Sequence, residues 1–165
     1  MSIRVESKRL GQAMTISRAG STAVMDATLQ PRARVPLHRH ADQDETFTIL
    51  DGHAAFRVGR RRLRLGPGQT TTIPRGVAHS VRTAGSTPLR VRAELTPGEG
   101  TEAFFGDLFA LGEGGHVTRR GLADPHAALR LARSHGERMP MLPLLPIALQ
   151  RRVLRALHRP RGRAA

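Results

Sequence analysis

The sequence predicts an all-β unit, an antiparallel barrel or sandwich, followed by helices. Three observations predict it. From about residue 20 to 96, short apolar runs are broken by Gly, Pro and Asp-Gly turn signals. The stretch "LRVRAEL" (89–95) alternates strictly, with Leu89, Val91, Ala93 and Leu95 on one face and Arg90, Arg92 and Glu94 on the other. After "TPGEG" (96–100) the apolar period changes from two to nearer four, which is helical spacing.

The elements follow in order. "TAVMDATL" (22–29) and "ETFTIL" (45–50) read as strands, and "DG" (51–52) turns the second into "AAFRV" (54–58) as its expected antiparallel neighbour. "GR" (59–60) leads into "RRLRL" (61–65), and "GPG" (66–68) breaks the chain before "QTTTI" (69–73). The turn "PRG" (74–76) precedes "VAHSVRT" (77–83), and "LRVRAEL" closes the set. "TEAFFGDLFALG" places Phe104, Phe105, Leu108, Phe109 and Leu111 on one stripe of a helix ending at Gly112. A second helix opens with Asp124 as N-cap and Pro125 at its first position, and Gly136 closes it. A last helix, Ile147 to His158, sets Leu149, Val153, Leu154 and Leu157 against Arg151, Arg152, Arg155 and Arg159. Pro140, Pro143 and Pro146 make the segment before it a stiff connector that should pack its leucines on the β unit. The expected organisation is one domain: a β unit over 1–98, then a helical appendix over 99–165 packed on it and ending in a basic tail.

Composition narrows the chemistry. The 165 residues include no cysteine, so a metal must be held by nitrogen and oxygen. The start, "MSIRVESKRLGQ", has no apolar leader, and the longest apolar run, "MPMLPLLPIAL" (139–149), is too short to span a bilayer. A soluble, cytoplasmic protein without membrane attachment is expected. The net charge is +14, yet the basic residues are scattered arginines with Lys8 the only lysine, and there is no Trp or Tyr for base stacking. Nucleic acid is therefore not an expected partner.

The chemistry sits in "HRHADQDE" (38–45). On a strand, residues i and i+2 share a face, so His38 and His40 converge while Arg39 points away. Glu45, beyond the polar turn, can return beside the imidazoles. Two nitrogens and one hard oxygen suit iron, manganese, nickel or zinc. By itself an H-x-H pair also describes a polar strand end. A third histidine, His79, follows the "PRG" turn 34 residues after Glu45.

Together these stretches resemble the two signature motifs of the cupin superfamily. His38, His40, Glu45 and Gly52 match the first motif, and Gly68, Pro74, Gly76 and His79 the second, at the family's spacing. Arg32 stands where the first motif opens on glycine, and Thr83 where the second ends on asparagine. The resemblance covers roughly residues 20–96. It implies a cupin-type antiparallel β-barrel (double-stranded β-helix or jelly roll) with one divalent metal on His38, His40, Glu45 and His79. Fe(II) is the leading metal, with Mn, Ni or Zn as alternatives, and Glu45 is the candidate catalytic ligand.

Alternation places Phe47 and Ile49 on the face of Glu45, and Val81 and Thr83 on the face of His79; with Phe56 they are candidates to line the pocket. Asp42 and Asp44 could steady the histidines but read better as a solvated turn. His53, His116, His126, His135 and His158 read as surface residues, and Arg90 and Arg92 as solvent-facing. The leading function is a metal-dependent enzyme, an Fe(II)-type oxygenase or dioxygenase (an oxidoreductase) acting on a small organic substrate. A metal-dependent isomerase or cyclase acting by Lewis-acid chemistry, and a non-catalytic binding cupin, are the alternatives. A homodimer is expected from the resemblance and the apolar helices.

Overall fold

Ten strands, three α-helices and one 3-10 turn (Gly136–Arg138) are the ordered elements of a computed structural model, which describes residues 2–118, 120–138 and 140–158. In chain order the strands are β1 (Ser2–Ser7), β2 (Gln12–Ala19), β3 (Thr22–Leu29), β4 (Arg34–His38), β5 (Asp44–Asp51), β6 (Ala54–Val58), β7 (Arg61–Leu65), β8 (Thr70–Ile73), β9 (His79–Thr83) and β10 (Leu89–Thr96). The helices are α1 (Thr101–Glu113), α2 (Pro125–His135) and α3 (Ile147–Leu157). Arg159 and the expected basic tail lie outside the described residues. None of the described helices is long and apolar enough to cross a membrane.

The strands form two antiparallel sheets, ordered β1-β2-β3-β10-β5-β8 and β4-β9-β6-β7. They enclose one core in a jelly-roll arrangement; the ladders do not close into a single cylinder. The strict alternation of β10 explains its central place. Leu89, Val91, Ala93 and Leu95 are buried, while Arg92 turns outward to a bidentate pair with Asp26 at 2.7 and 2.8 Å. Each large apolar side chain buried this way contributes about 1.5–3 kcal/mol.

Three expectations are corrected. β1 and β2 precede the first expected strand and extend the larger sheet at its edge. Their half-buried alternation is too weak to announce a strand from sequence. Second, β5 and β6 are not partners: β5 pairs with β8 and β10, and β6 with β7 and β9. The "DG" turn carries the chain from one sheet to the other. Gly52 has φ of 74°, and a Cβ there would lie 2.4 Å from the Pro88 carbonyl oxygen, so glycine is required. Third, the proline segment does not pack its leucines inward: Leu142, Leu144 and Leu145 are exposed, and Met141 is the residue it buries.

That segment is nonetheless held firmly. The Gln150 side chain accepts from Leu142 N and donates to the carbonyls of Leu142 and Leu145, all at 2.8 Å. Arg39 pairs its backbone with Met141 and donates its guanidinium to the Leu145 carbonyl, so the residue expected to be a bystander ties the appendix to the metal-motif segment. The α2 caps match expectation: the Asp124 carboxylate accepts from Ala127 N at 2.8 Å, and Gly136 ends the helix. His135, expected at the surface, is buried between α1 and α2 and pairs with Asp107 at 2.9 Å.

Candidate metal centre

β4 and β9 set His38 directly opposite His79 in their ladder. The register shifts between Val35 and His38, where Pro36 has no N–H to give to the ladder. His40 follows two residues on, its carbonyl oxygen accepting from Gly76 N at 2.7 Å, so the "PRG" turn is stitched to the H-x-H segment. Glu45 enters from β5, in the other sheet. The site therefore lies between the sheets, and its donors reach it from both.

One ligand atom from each of His38, His40, Glu45 and His79 lies within 4.8 Å of every other. Glu45 Oε2 is 2.8 Å from His79 Nε2 and 3.2 Å from His40 Nε2, and the Nε2 atoms of His38 and His40 are 3.2 Å apart. His40, Glu45 and His79 are buried. His38 Nδ1 faces the Pro36 carbonyl at 2.9 Å and His79 Nδ1 the Val77 carbonyl at 3.0 Å. A carbonyl only accepts, so both Nδ1 atoms carry the hydrogen, and a neutral ring then turns the lone pair of Nε2 inward. With the rings neutral, the cluster gathers nitrogen lone pairs around a carboxylate oxygen, an excess of acceptors that a cation satisfies, or in its absence a proton on His79 Nε2 shared with Glu45. His40 Nδ1 is buried without a hydrogen-bond partner among the described residues.

The electrostatics point the same way. Burial, reinforced by His79 and His40, pulls His38 down to about 3, so its ring is neutral and free to donate its lone pair. Burial pushes the Glu45 carboxyl up, but hydrogen bonds from His40 and His79 more than offset this and hold it below the usual carboxylate range. Burial pushes His79 down, and its contact with Glu45 outweighs that and raises it. Three neutral-capable imidazoles and one carboxylate are the nitrogen and oxygen donor set of a borderline or hard divalent metal.

A cavity of about 330 Å³ opens beside His38, His40 and Glu45. Its walls are apolar: Met14 and Met25 from the larger sheet, Phe104, Phe105 and Phe109 from α1, and Met141 from the proline segment are among them. Of the side chains expected to line it, Phe47 and Val81 do so, while Ile49, Phe56 and Thr83 do not. Ile49 and Phe56 are buried in the core, the Phe56 ring packed edge-on against Phe47 at 5.2 Å. Thr83 is buried with its hydroxyl donating to the carbonyls of Leu29 and Gln30. Asp42 and Asp44 do not touch the histidines. Asp44 takes three hydrogen bonds from Arg75, and Asp42 pairs with Arg151 at 2.5 Å. The roof residues of α1 were readable as an apolar stripe, but nothing in the stripe says what it covers.

The family model described as Cupin domain matches residues 25–101, the span that holds all four donors. Residues 25–101 are a cupin domain. Solved structures agree on the fold. The cupin domain of Schizosaccharomyces pombe Cnp3 aligns with a TM-score of 0.50 at 17% identity, covering 56% of this chain and 67% of that one. KdgF from Halomonas sp. aligns at 0.51 and 16% identity, covering 56% and 84%. Bacillus subtilis oxalate decarboxylase, described with Mn(II) centres, aligns at 0.51 and 22% identity, and this chain covers 26% of it. No curated protein sequence matches the chain. The family match ends at residue 101, and Phe104, Phe105 and Phe109, which roof the cavity, lie beyond it.

The first motif's leading position is explained by the backbone. Arg32 has φ of 70° and follows Pro31 in a turn closed by Ala33 N to Gln30 O at 2.9 Å. The geometry is that of a type II turn, whose third residue favours glycine. The turn survives the substitution, at the expense of a left-handed arginine.

Proposed function

We propose that this cupin is a metal-dependent enzyme that oxidises a small, predominantly apolar organic molecule with dioxygen, in the manner of an Fe(II)-type dioxygenase. The observation that carries the reading is the composition of the cavity wall. Apart from His38, His40 and Glu45, the only titratable residue on it among the described residues is Arg34, which is itself exposed to solvent. Isomerisation or cyclisation needs a group to move a proton, and Glu45 alone would have to serve while ligating. An oxygenase needs substrate held dry beside the metal, and this wall is suited to that.

Held by His38, His40, Glu45 and His79, a ferrous ion supplies dioxygen binding and activation. Glu45 offsets part of the dication's charge, and the Nδ1–H groups of His38 and His79, held by the Pro36 and Val77 carbonyls, aim their lone pairs. Phe47 and Val81 seat the substrate against the cluster, and Phe104, Phe105 and Phe109 exclude water above it. About 330 Å³ lies at the small end of ligand cavities, roughly 300–1,000 Å³, and suits a molecule of one or two rings. A small dianion such as oxalate would lose its hydration with only Arg34 to replace it, so the manganese decarboxylase chemistry of the structural neighbour is the weaker analogy. Manganese, nickel or zinc would fit the same donors.

Elemental analysis of protein purified without chelators, followed by oxygen uptake with a panel of apolar phenols and diketones, tests the proposal. Iron with substrate-dependent oxygen consumption is the expected result. Turnover without oxygen consumption would move the assignment to Lewis-acid chemistry, and tight binding without turnover to a ligand-binding cupin.

A further inference from the structure

The two sheets differ sharply in charge. β4, β6, β7 and β9 contain no carboxylate, whereas the larger sheet carries Glu6, Asp26, Asp44, Asp51 and Glu94 among its acids. On the outer face of the smaller sheet, Arg34, Arg57, Arg62, Arg64 and Arg82 gather around a groove of about 580 Å³, with Arg120 reaching in from the α1–α2 loop. Register places them. Arg34 lies opposite Arg82, Arg57 lies opposite Arg62, and Ala55 sits between Arg82 and Arg64. Ala55 and Ser80 are the small floor that makes the face concave. Among the described residues none of the six arginines has an ion-pair partner.

Like charges directly opposite each other weaken a sheet. A face that keeps two such pairs with no compensating carboxylate is complementary to a polyanion. We propose that this face binds the phosphate backbone of double-stranded nucleic acid, without reading its sequence. Guanidinium forks match phosphate oxygens bidentately. Five cations spread over four strands, roughly 15 Å at about 4.8 Å per strand, with Arg120 beside them, exceed what one phosphate or diphosphate neutralises. A polymer supplies phosphates along that width. Of the five phenylalanines, Phe47, Phe56, Phe104 and Phe109 are buried and Phe105 belongs to the cavity roof, so the face offers no ring on which to stack a single-stranded base. A membrane surface is disfavoured by the concavity and because Leu122 is the only exposed leucine among the described residues lining the groove, too little apolar surface to insert into a bilayer.

The test is fluorescence anisotropy with a 20-base-pair duplex of arbitrary sequence, over a salt series from 50 to 200 mM. Six phosphate contacts predict a log–log salt slope of about −5, roughly a 10³-fold loss of affinity across that range. The double variant Arg57→Gln/Arg62→Gln should weaken binding at least tenfold and flatten the slope by about two. Arg4→Gln/Arg90→Gln, which removes the same charge from the larger sheet, should change affinity less than twofold. Circular dichroism and metal content report that the fold is retained in both. Three results overturn the proposal: no duplex binding at 50 mM salt, equal losses in both double variants, or face-dependent binding to phosphatidylserine vesicles in place of the duplex.

Discussion

Nε2 of His79 lies 2.8 Å from Oε2 of Glu45, although 34 residues and a change of sheet separate them. The contact joins the two halves of the donor set, and it makes His79 the residue whose loss should matter most. His79→Ala is expected to abolish stoichiometric metal, a larger effect than the roughly 10–100-fold loss typical of changes outside the ligand set. Elemental analysis of the purified variant checks this; undiminished metal content would rule out the four-donor site.

Loading the metal-free protein should release a proton. The Glu45 contact raises His79, so in the absence of metal the ring holds its proton to higher pH than an ordinary histidine. A group raised on folding stabilises the metal-free protein fully below its ordinary pKa and loses that effect as pH rises through the folded value. The metal needs the neutral ring, so affinity should climb with pH over that same window. A pH-stat titration with Zn(II) should show about one proton released per site near neutral pH and less at higher pH; release that does not vary with pH would contradict it.

The exposed clamp between Asp44 and Arg75 holds the start of β5 against the turn that precedes His79. The Arg75 guanidinium and backbone N–H hold the Asp44 carboxyl down to about 2. Its contribution is therefore present above the ordinary carboxylate pKa and is lost as pH falls toward about 2. Asp44→Asn should weaken metal binding by about tenfold with little change in thermal stability, the signature of a residue that positions a ligand. Competition with a chelator of known affinity, alongside a melting curve, separates the two effects.

Arg32→Gly should stabilise the protein. A left-handed non-glycine residue costs about 1–2 kcal/mol, partly offset by the greater freedom of glycine in the unfolded chain. A net gain of about 0.5–1 kcal/mol corresponds to a Tm rise of roughly 1–4 °C for a domain of this size. Calorimetry would detect it, and a lowered Tm would show that the arginine side chain contributes more than its backbone costs.

Cavity size can be tested apart from the metal. Ala27 lines the cavity wall in β3. Ala27→Leu should fill part of it, leaving metal content unchanged while raising KM or abolishing turnover of a two-ring substrate more than that of a one-ring substrate. Equal kinetics for both would remove the cavity from the account of specificity.

Much of this molecule is legible in its residues. The limits of β3, β6 and β7, the N-cap at Asp124 and the stop at Gly136 follow from short-range rules: alternation, two-residue turns, capping side chains. His38, His40 and Glu45 share one short stretch, whereas His79 joined them only through the resemblance to the cupin motifs. What failed to read were long-range choices. The "DG" turn looked like a hairpin because two strands and a tight turn usually pair, yet Gly52 sends the chain under Pro88 into the other sheet. His135 looked like a surface residue because its partner, Asp107, is 28 residues away on another helix.

The sequence by itself determined most element types from β3 onward, because periodicity and turn chemistry act within a few residues, and its resemblance to the cupin motifs named the four candidate donors. Only the tertiary structure decided that α1 roofs the cavity, that Arg39 holds the proline segment, and that arginines from 34 to 120 share one acid-free face. Those facts depend on which strands become neighbours. That choice is settled by burying Val91, Ile49 and Phe56 in one core, a cooperative decision of the whole chain to which no single stretch holds the key.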